Sequence, residues 1–304
     1  MEKVSGEIMK KLTAIVPMHR MERTEEILDT YGMQDASVND YEVLFLTTNP
    51  ATSAAIARRI RKAIIKYGKD FKCVDLPGQS NCESRNSASK QAIGERLLFI
   101  DGDQLIHSSL FRKHIELVKE GQVGIGIFNI DIAVNNGVIS ICVPSFKNTP
   151  RCMRKVIVGD IPLTKFVEDM YYTQALGFAS FHNRDTLTDY INFVTRNVSI
   201  WKSDFDKIGR FDLELGYSEK SVSRGWEDNE LGLRAYKAGL KFVFVPSWAV
   251  HIDHSEMRKD GGVGNMYTMI RKHLWFLEER IDWFKMHGYN REKVIQDLKK
   301  EGLL

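Results

Sequence analysis

Short apolar segments alternate with helix-forming segments between residues 12 and 100, and this alternation restricts the fold more than any other feature. Strands are predicted at 12–16, 41–46, 71–76 and 97–100, and helices at 51–67 and 83–93. Strands that are joined by helices pair in parallel, and the helices cover both faces of the sheet. We therefore predict a Rossmann-like α/β fold with a mainly parallel central sheet flanked by helices, which binds its ligand at the carboxyl ends of the strands.

The composition is that of a folded protein without a bias toward nucleic acid. Of 304 residues, 43% are hydrophobic and only 7 are proline, which argues against long disordered segments. The 43 basic and 40 acidic residues are interspersed and leave a formal charge of +3, so nucleic acid is not an expected partner. The charged start of the chain and the lack of a long apolar run predict a cytoplasmic protein. The 4 cysteines lack metal-ligand spacing and predict neither zinc nor disulfides.

The rest of the chain divides into a less regular part and a helical part. Residues 121–195 carry irregular strand-like runs, after which a helix is predicted at 226–238 and a strand at 242–245. Apolar residues then recur at helical spacing, and Asn290 is placed to cap a last helix. The recurring residues are Met266, Ile270, Leu274, Leu277, Ile281 and Phe284. This face is expected to pack on the core of the protein itself, with peripheral membrane contact or an oligomer contact as the alternative.

Asp101-Gly102-Asp103 follows the strand predicted at 97–100, which places two carboxylates at the ligand-binding edge of the sheet. Carboxylate oxygens suit Mg²⁺ or Mn²⁺, and such an ion stabilises a departing diphosphate. The same three residues also suit an ordinary β-turn, and both interpretations stay open. A calcium-binding EF-hand is excluded because Leu105 stands where another oxygen ligand is required.

Gly225-Trp226-Glu227-Asp228 stands where the helix predicted at 226–238 begins. In one interpretation, its acids are first-turn carboxylates that the helix dipole favours. In the other, Asp228 is a general base that takes the proton of an acceptor hydroxyl, while Trp226 and Glu227 hold the acceptor. An aromatic plane beside a carboxylate suits a sugar, because a sugar has both an apolar face and hydroxyl groups.

Two histidines, His251 and His254, follow the strand predicted at 242–245 and stand three residues apart. Both are candidates for reaching the edge of the sheet that carries the aspartate pair. Mixed histidine and carboxylate ligation favours Mn²⁺ over Mg²⁺. The glycines of segment 261–264 are interpreted either as the hinge of a lid or as an ordinary loop.

These motifs together resemble the family-2 type of glycosyltransferases with the GT-A fold, and also the β-1,4-galactosyltransferases and the chondroitin polymerase domains. The resemblance covers most of residues 12–104 and 194–260. It rests on a strand that ends in Pro17-x-x-Arg20, on the Arg85-Asn86 pair and on the Asp-x-Asp (DxD) motif. Its most specific parts are NVSIWKSDFDKIGRFD at 197–212 and GWEDNELGLRAYKAG at 225–239.

The resemblance implies a role for each residue that falls on a family position. Asp228 falls on the catalytic base of inverting members, His254 on the metal-binding histidine of the galactosyltransferases, and His251 on the counterpart in chondroitin polymerase. With Asp103, these histidines make the expected site for Mn²⁺ or Mg²⁺. The expected donor-binding residues are Pro17, His19, Arg20, Thr47, Arg85, Asp101, Gly102 and Asp103.

Two parts of the chain depart from the family. Thr47-Thr48 stands after the second strand, where the family has acidic residues that contact uracil and ribose, and residues 121–193 align with no part of it. Other enzyme classes fit less well: a nucleotidyltransferase needs a basic glycine-rich loop near its N-terminus, and GIGIFN at 124–129 lacks the third glycine of an NAD-binding motif.

The sequence therefore predicts three units: a nucleotide-sugar-binding half at 1–120, an acceptor-binding and catalytic half at 121–260, and a glycine-rich loop with a C-terminal helical extension at 261–304. The predicted activity is metal-dependent, inverting transfer of a hexosyl or N-acetylhexosaminyl group. The expected donor is a nucleotide diphosphate sugar, with UDP as the nucleotide, and the acceptor is a hydroxyl of a glycan or glycoconjugate in polysaccharide biosynthesis. A non-catalytic nucleotide- or glycan-binding module, a transferase that acts on protein or peptide, and a location at the inner face of the membrane are the alternatives.

Overall fold

The computed structural model describes residues 9–19, 22–135, 138–144, 153–159, 161–171, 173–175, 190–215, 225–252, 263–279, 290–302 and 304. Its strands are β1 (Lys10–Pro17), β2 (Tyr41–Thr47), β3 (Phe71–Asp75), β4 (Gly94–Phe99), β5 (Gln104–Ile106), β6 (Gln122–Asn135), β7 (Val138–Pro144), β8 (Met153–Gly159), β9 (Val198–Trp201) and β10 (Lys241–Ile252). Its helices are α1 (Thr24–Gly32), α2 (Pro50–Tyr67), α3 (Asn81–Gln91), α4 (Leu110–Leu117), α5 (Leu163–Asp169), α6 (Lys202–Lys207), α7 (Glu227–Lys237), α8 (Val263–Lys272), α9 (Phe276–Glu279) and α10 (Arg291–Lys300).

The strands form one sheet in the order β3-β2-β1-β4-β9-β6-β10-β5, with β7 beside β6 and β8 beside β7. The first four strands in this order pair in parallel, as predicted. Strand β9 runs antiparallel to both β4 and β6, while β6 and β10 are parallel to each other. Because both neighbours of β9 are antiparallel to it, β4 and β6 run in the same direction. The carboxyl ends of β1, β4, β6 and β10 therefore lie at the same edge of the sheet. Strands on both sides of residue 120 share this sheet, and the division into units stays a prediction.

The central parallel strands, β1 and β2, are predictable because they are buried on both faces. All seven residues of β2 are buried, and its apolar run extends from Val43 to Leu46. The covering helix α2 begins with Asn49, whose side chain accepts a hydrogen bond from Ala51 N, and with Pro50 at the first helical position. Its buried residues recur at steps of three and four: Ser53, Ile56, Ile60 and Ala63.

Asn197, the residue before β9, joins β6 to β10 from a fully buried position. Its Nδ2 donates to Ile127 O at 3.0 Å and to Ser247 O at 3.2 Å, and its Oδ1 lies 2.9 Å from His114 Nε2. A Cβ on Gly126 would lie 2.1 Å from Asn197 Nδ2, so only glycine allows this approach. The glycines of 124–129 therefore serve packing between strands.

The apolar face of the C-terminal part packs inward, but it is not one continuous helix. Helix α8 ends at Lys272, and α9 begins only at Phe276. Between them His273 turns toward the buried Glu230 of α7, with Nε2 2.8 Å from Oε1, and this contact interrupts the predicted helix. Three of the six predicted apolar positions are buried in one cluster, and Leu274 packs against it partly buried. The three are Met266, Ile270 and Leu277.

The remaining C-terminal predictions have different outcomes. Asn290 caps the last helix as predicted, because its side chain accepts a hydrogen bond from Lys293 N at 2.9 Å. Ile281 and Phe284 lie outside the described residues. Among the described helices, none has the length and apolar character that spanning a bilayer requires.

Replacing Asn197 with Ala is expected to lower the free energy of unfolding by about 3 kcal/mol, because two carbonyls and a histidine lose their buried partner. Denaturant unfolding measures this. Asn39→Ala is the matched control, because Asn39 is exposed, and we expect it to change the free energy by less than about 0.5 kcal/mol. Equal effects of the two substitutions would contradict the joining role of Asn197.

Candidate active site

Three strands bring acidic residues and one histidine of the site to one edge of the sheet. Asp101 and Asp103 follow β4, Asp131 lies in β6, and His251 lies near the end of β10. The register places His251 opposite Asp131 on one side and opposite Gln104 on the other. The antiparallel step through β9 thus brings residues from distant parts of the sequence beside the aspartate pair.

Gly102 is required by the packing behind the aspartate pair. A Cβ at this position would lie 2.0 Å from the carbonyl oxygen of Pro17, at the end of β1. The chain therefore turns tightly against the end of β1 between the two acids. Of the sequence-predicted donor residues, Pro17 and Gly102 thus shape the backbone beneath the site.

A buried guanidinium group organises the first part of the site. The side chain of Arg85, in α3, is only 4% exposed. Its Nη2 donates to Asp101 Oδ1 at 2.9 Å and to Thr195 Oγ1 at 3.1 Å, and its Nη1 lies 3.8 Å from Glu227 Oε1. The ring of Phe211 lies under the guanidinium, 5.7 Å from centroid to Cζ.

Some polar atoms of this cluster have no hydrogen-bond partner among the described residues. They are Arg85 Nε, Arg85 Nη1 and Glu227 Oε2, and all three are buried. Buried donors and acceptors without partners are costly, and they are rare in folded proteins outside functional sites. A polar ligand with hydroxyl or phosphate oxygens would satisfy them.

A second ion-pair cluster lies beside the first. His251 Nδ1 contacts Asp131 Oδ1 at 2.9 Å, and His251 Nε2 lies 3.5 Å from Asp103 Oδ2. Arg196 Nη1 pairs with Asp131 at 3.4 Å, and Arg196 Nε lies 3.9 Å from Asp101. Burial lowers the pKa of His251, but the hydrogen bonds to Asp103 and Asp131 outweigh it and raise the pKa to about 9.

Asp228 stands at the start of α7, after two residues with left-handed backbone. Gly225 has φ 85° and Trp226 has φ 73°, a conformation that a bulky side chain seldom adopts outside functional sites. Burial raises the pKa of Asp228 to about 7, and the adjacent Glu227 carboxylate adds to this shift. A carboxyl group with such a pKa is suited to accept a proton near neutral pH.

Asp75 supplies an acid near the position where the family has one after the second strand. It ends β3, and its Oδ1 accepts a hydrogen bond from Thr47 Oγ1 at 2.8 Å. Thr48, the residue after Thr47, has its Oγ1 3.1 Å from His19 Nδ1. These residues line the carboxyl ends of β1, β2 and β3. Although Thr47-Thr48 replaces the acidic residues expected after the second strand, Asp75 still supplies a carboxylate at this edge.

The structure brings together several of the sequence-predicted site residues and adds others. The contacts above link Arg85, Asp101, Asp103, Glu227 and His251, and Asp228 follows Glu227 in the chain. Arg20, His254 and residues 261 and 262 lie outside the described residues, while 263 and 264 begin α8. No sequence motif singled out Asp75, Asp131, Thr195 or Arg196. For Asp131 a signal existed, an acid between Ile130 and Ile132 in an apolar strand.

The residues present fit a divalent ion in part. Asp103 Oδ2 and His251 Nε2, 3.5 Å apart, are close enough to contact one ion through ligand bonds of about 2.1 Å. Asp131 accepts from the other ring nitrogen of His251, an arrangement that typically orients a metal-binding imidazole. No group of three or more ligating side chains is found in the part of the chain that the structure describes, and His254 lies outside that part.

Solved structures with a similar fold are glycosyltransferases. S. aureus TarS 1–349 in complex with UDP has a TM-score of 0.51 and 18% identity over 86% of this chain and 63% of that one. GalNAc-T7 with UDP, GalNAc and Mn²⁺ has a TM-score of 0.55 and 12% identity over 93% and 59%. The chain has the GT-A fold of these enzymes, which confirms the predicted fold class. It spans about six-tenths of the length of each.

The sequence comparisons do not show a family. The gamma-curcumene synthase of Pogostemon cablin is 32% identical over 149 residues, which are 43% of this chain and 26% of that protein. The chain thus spans about a quarter of the length of this curated relative, and the activity in its name is not transferred. No family model matches the chain.

In the metal-free protein, His251 is expected to titrate near pH 9, and Asp131→Asn to bring its pKa down toward 6.5. The stabilisation from the charged imidazole is therefore fully present below pH 6.5 and is lost as the pH rises through about 9. NMR of labelled imidazoles measures the pKa of His251 in the wild type and in Asp131→Asn. His114 is the internal control, because burial lowers its pKa to about 4. A His251 pKa near 6.5 before mutation would contradict the geometry.

Proposed function

We propose that this protein is a metal-dependent, inverting glycosyltransferase that moves a sugar from a UDP-sugar to a hydroxyl group of a glycan or glycoconjugate. One observation carries the proposal: Asp228, with its pKa raised to about 7, lies beside the Asp101–Arg85–Glu227 cluster at the ligand-binding edge of a GT-A fold. The base can accept the proton of a hydroxyl group, and the polar atoms without partners beside it can bind that group. We propose that the transferred group is a hexosyl or N-acetylhexosaminyl group.

The donor lies along the carboxyl ends of β1 to β4. Thr47, Asp75 and His19 serve the nucleotide end, and Arg85 with Asp101 serves the diphosphate and sugar end. A guanidinium group is well suited to oxygen-rich ligands, because it donates several hydrogen bonds from one plane. The choice of UDP is supported by TarS and GalNAc-T7, whose structures contain UDP or UDP-GlcNAc.

Asp103 and His251 hold the metal ion, and His254 is its proposed third protein ligand. This edge carries five carboxyl groups but only two guanidinium groups and one imidazole, and the excess of negative charge favours a divalent cation. The five carboxyl groups are those of Asp101, Asp103, Asp131, Glu227 and Asp228. Mn²⁺, or Mg²⁺ in its place, supplies positive charge that stabilises the departing diphosphate. The Mn²⁺ in the GalNAc-T7 structure supports this choice.

Asp228 acts on the acceptor. Its carboxylate takes the proton of the acceptor hydroxyl, the acceptor oxygen forms a bond to the anomeric carbon, and the bond from that carbon to the diphosphate oxygen breaks. The proton stays on Asp228 and the electron pair leaves with the nucleoside diphosphate. Because this is one displacement, the configuration of the anomeric carbon is inverted, and NMR of the glycosidic linkage in the product tests this.

Trp226 and Glu227 hold the acceptor beside the base. Trp226 offers an aromatic face to a sugar ring, and Glu227 Oε2 is a buried acceptor for a hydroxyl group. A protein that only binds nucleotide or glycan has no use for a base with a pKa near 7. Release of nucleotide from a panel of nucleotide sugars with Mn²⁺, with and without glycan acceptors, separates an enzyme from a binding module.

Asp228→Asn is expected to lower kcat by at least about 100-fold while UDP affinity stays within about threefold, because the base acts on the acceptor. The wild-type rate should rise with pH through about 7, since Asp228 must be deprotonated next to Glu227, Arg85 and Asp101. Steady-state kinetics and UDP titration measure this, with Asp206→Asn, at an exposed residue of α6, as the control. Equal losses of rate and UDP affinity would refute the assignment.

Asp103→Asn and His251→Ala are each expected to abolish activation by Mn²⁺, and Asp131→Asn to weaken Mn²⁺ binding about 10- to 100-fold. His254→Ala is expected to weaken activation strongly as well. Because His251 is protonated below pH 9, binding at pH 7.5 should also release a proton. Calorimetry in buffers of different ionisation enthalpy measures the affinity and the proton. If the double histidine variant keeps the wild-type Mn²⁺ dependence, this metal site is wrong.

A further inference from the structure

Helix α2 has a basic outward face. Between Pro50 and Tyr67 it carries five basic side chains and no acidic one. They are Arg58, Arg59, Arg61, Lys62 and Lys66. The apolar residues on the opposite face are buried against the sheet, so the basic residues are not needed to fix the helix in place.

The neighbouring helix α1 neutralises only one flank of α2. Asp29 pairs with Lys66 at 3.0 Å, and Glu25 lies 3.9 Å from Arg59. The other three basic residues, Arg58, Arg61 and Lys62, are exposed and form no ion pair with any residue that the structure describes. An unpaired cluster of three cations therefore faces outward.

An apolar side chain lies in the middle of these three cations. Ile65 is 85% exposed, more than any other large hydrophobic residue in the described part of the chain. It stands seven residues after Arg58, four after Arg61 and three after Lys62, and these spacings share one face of a helix. Exposing an isoleucine this fully forgoes the stabilisation that burial gives such a side chain.

This face is remote from the candidate active site. Helix α2 begins after the carboxyl end of β2 and runs back along the sheet to β3. Ile65 is therefore about 22 Å along the helix from Pro50, toward the opposite edge. The cations do not serve the donor diphosphate, and they require a different partner.

We propose that the face formed by Arg58, Arg61, Lys62 and Ile65 binds the surface of a membrane that contains anionic phospholipids. The three cations match the negative headgroups, and Ile65 enters the boundary between headgroups and acyl chains. The exposed isoleucine decides between lipid and a soluble polyanion, because only a lipid surface offers it an apolar environment. Binding through three charges and one side chain is weak and reversible, and it lays α2 along the membrane.

Sedimentation of the full chain with vesicles tests this. Vesicles of phosphatidylcholine and phosphatidylglycerol at 3:1 should bind the protein, vesicles of phosphatidylcholine alone should not, and raising the salt should release it. The triple variant R58Q/R61Q/K62Q should bind on the order of 100-fold more weakly, since each cation contributes roughly fivefold. I65S should bind about 10-fold more weakly.

The control variant K119Q/K207Q/K241Q changes the charge equally at exposed residues on other surfaces, and its binding should equal that of the wild type. Equal losses in both triple variants would overturn the proposal in favour of general charge attraction. Unchanged binding of I65S, together with full competition by soluble polyphosphate, would overturn it in favour of a soluble polyanion. Far-UV circular dichroism and nucleotide release in solution confirm that the variants are folded and keep any transferase activity, which this proposal does not require.

Discussion

The candidate site depends on one buried positive charge, the guanidinium group of Arg85. It contacts Asp101 after β4, Thr195 before β9 and Glu227 at the start of α7, which come from three separated parts of the chain. A buried charge is tolerated only with such partners, and removing it leaves the carboxylates uncompensated. Arg85 therefore couples the proposed donor side to the proposed acceptor side, because the position of each depends on the same cation. The raised pKa of Asp228 belongs to this balance, since Arg85 lowers it while burial and Glu227 raise it.

A second constraint is the packing of Asn197 between β6, β10 and α4. Its hydrogen bonds to Ile127 of β6 and Ser247 of β10 tie the residue before β9 to both of these strands, and Gly126 leaves room for it. The register between β6 and β10 places Asp131 opposite His251. The start of the most specific motif, at Asn197, thus has a structural role, and it acts on the candidate metal site only through the alignment of strands.

The parallel half of the fold was predictable because its central strands, β1 and β2, are buried on both faces. The second half was less so. Strand β10 was predicted at 242–245 but extends to Ile252. The prediction ended too early because register shifts near Trp248 and buried polar residues such as Ser247 interrupt the apolar pattern. Asp103, Asp228 and His251 were predicted from motifs and resemblance. Asp131 was not, because its partner His251 is 120 residues away and a single acid in an apolar strand has no local pattern that names its partner.

The left-handed backbone at Trp226 has a consequence for engineering this protein. A bulky residue at φ 73° stores strain on the order of 1–3 kcal/mol, and glycine at the same position would relieve it. Directed evolution toward heat resistance alone would then favour the loss of the indole that we assign to the acceptor. Heat-resistant variants altered at this position should therefore be screened for turnover, because their higher melting temperature would come from the relief of this strain.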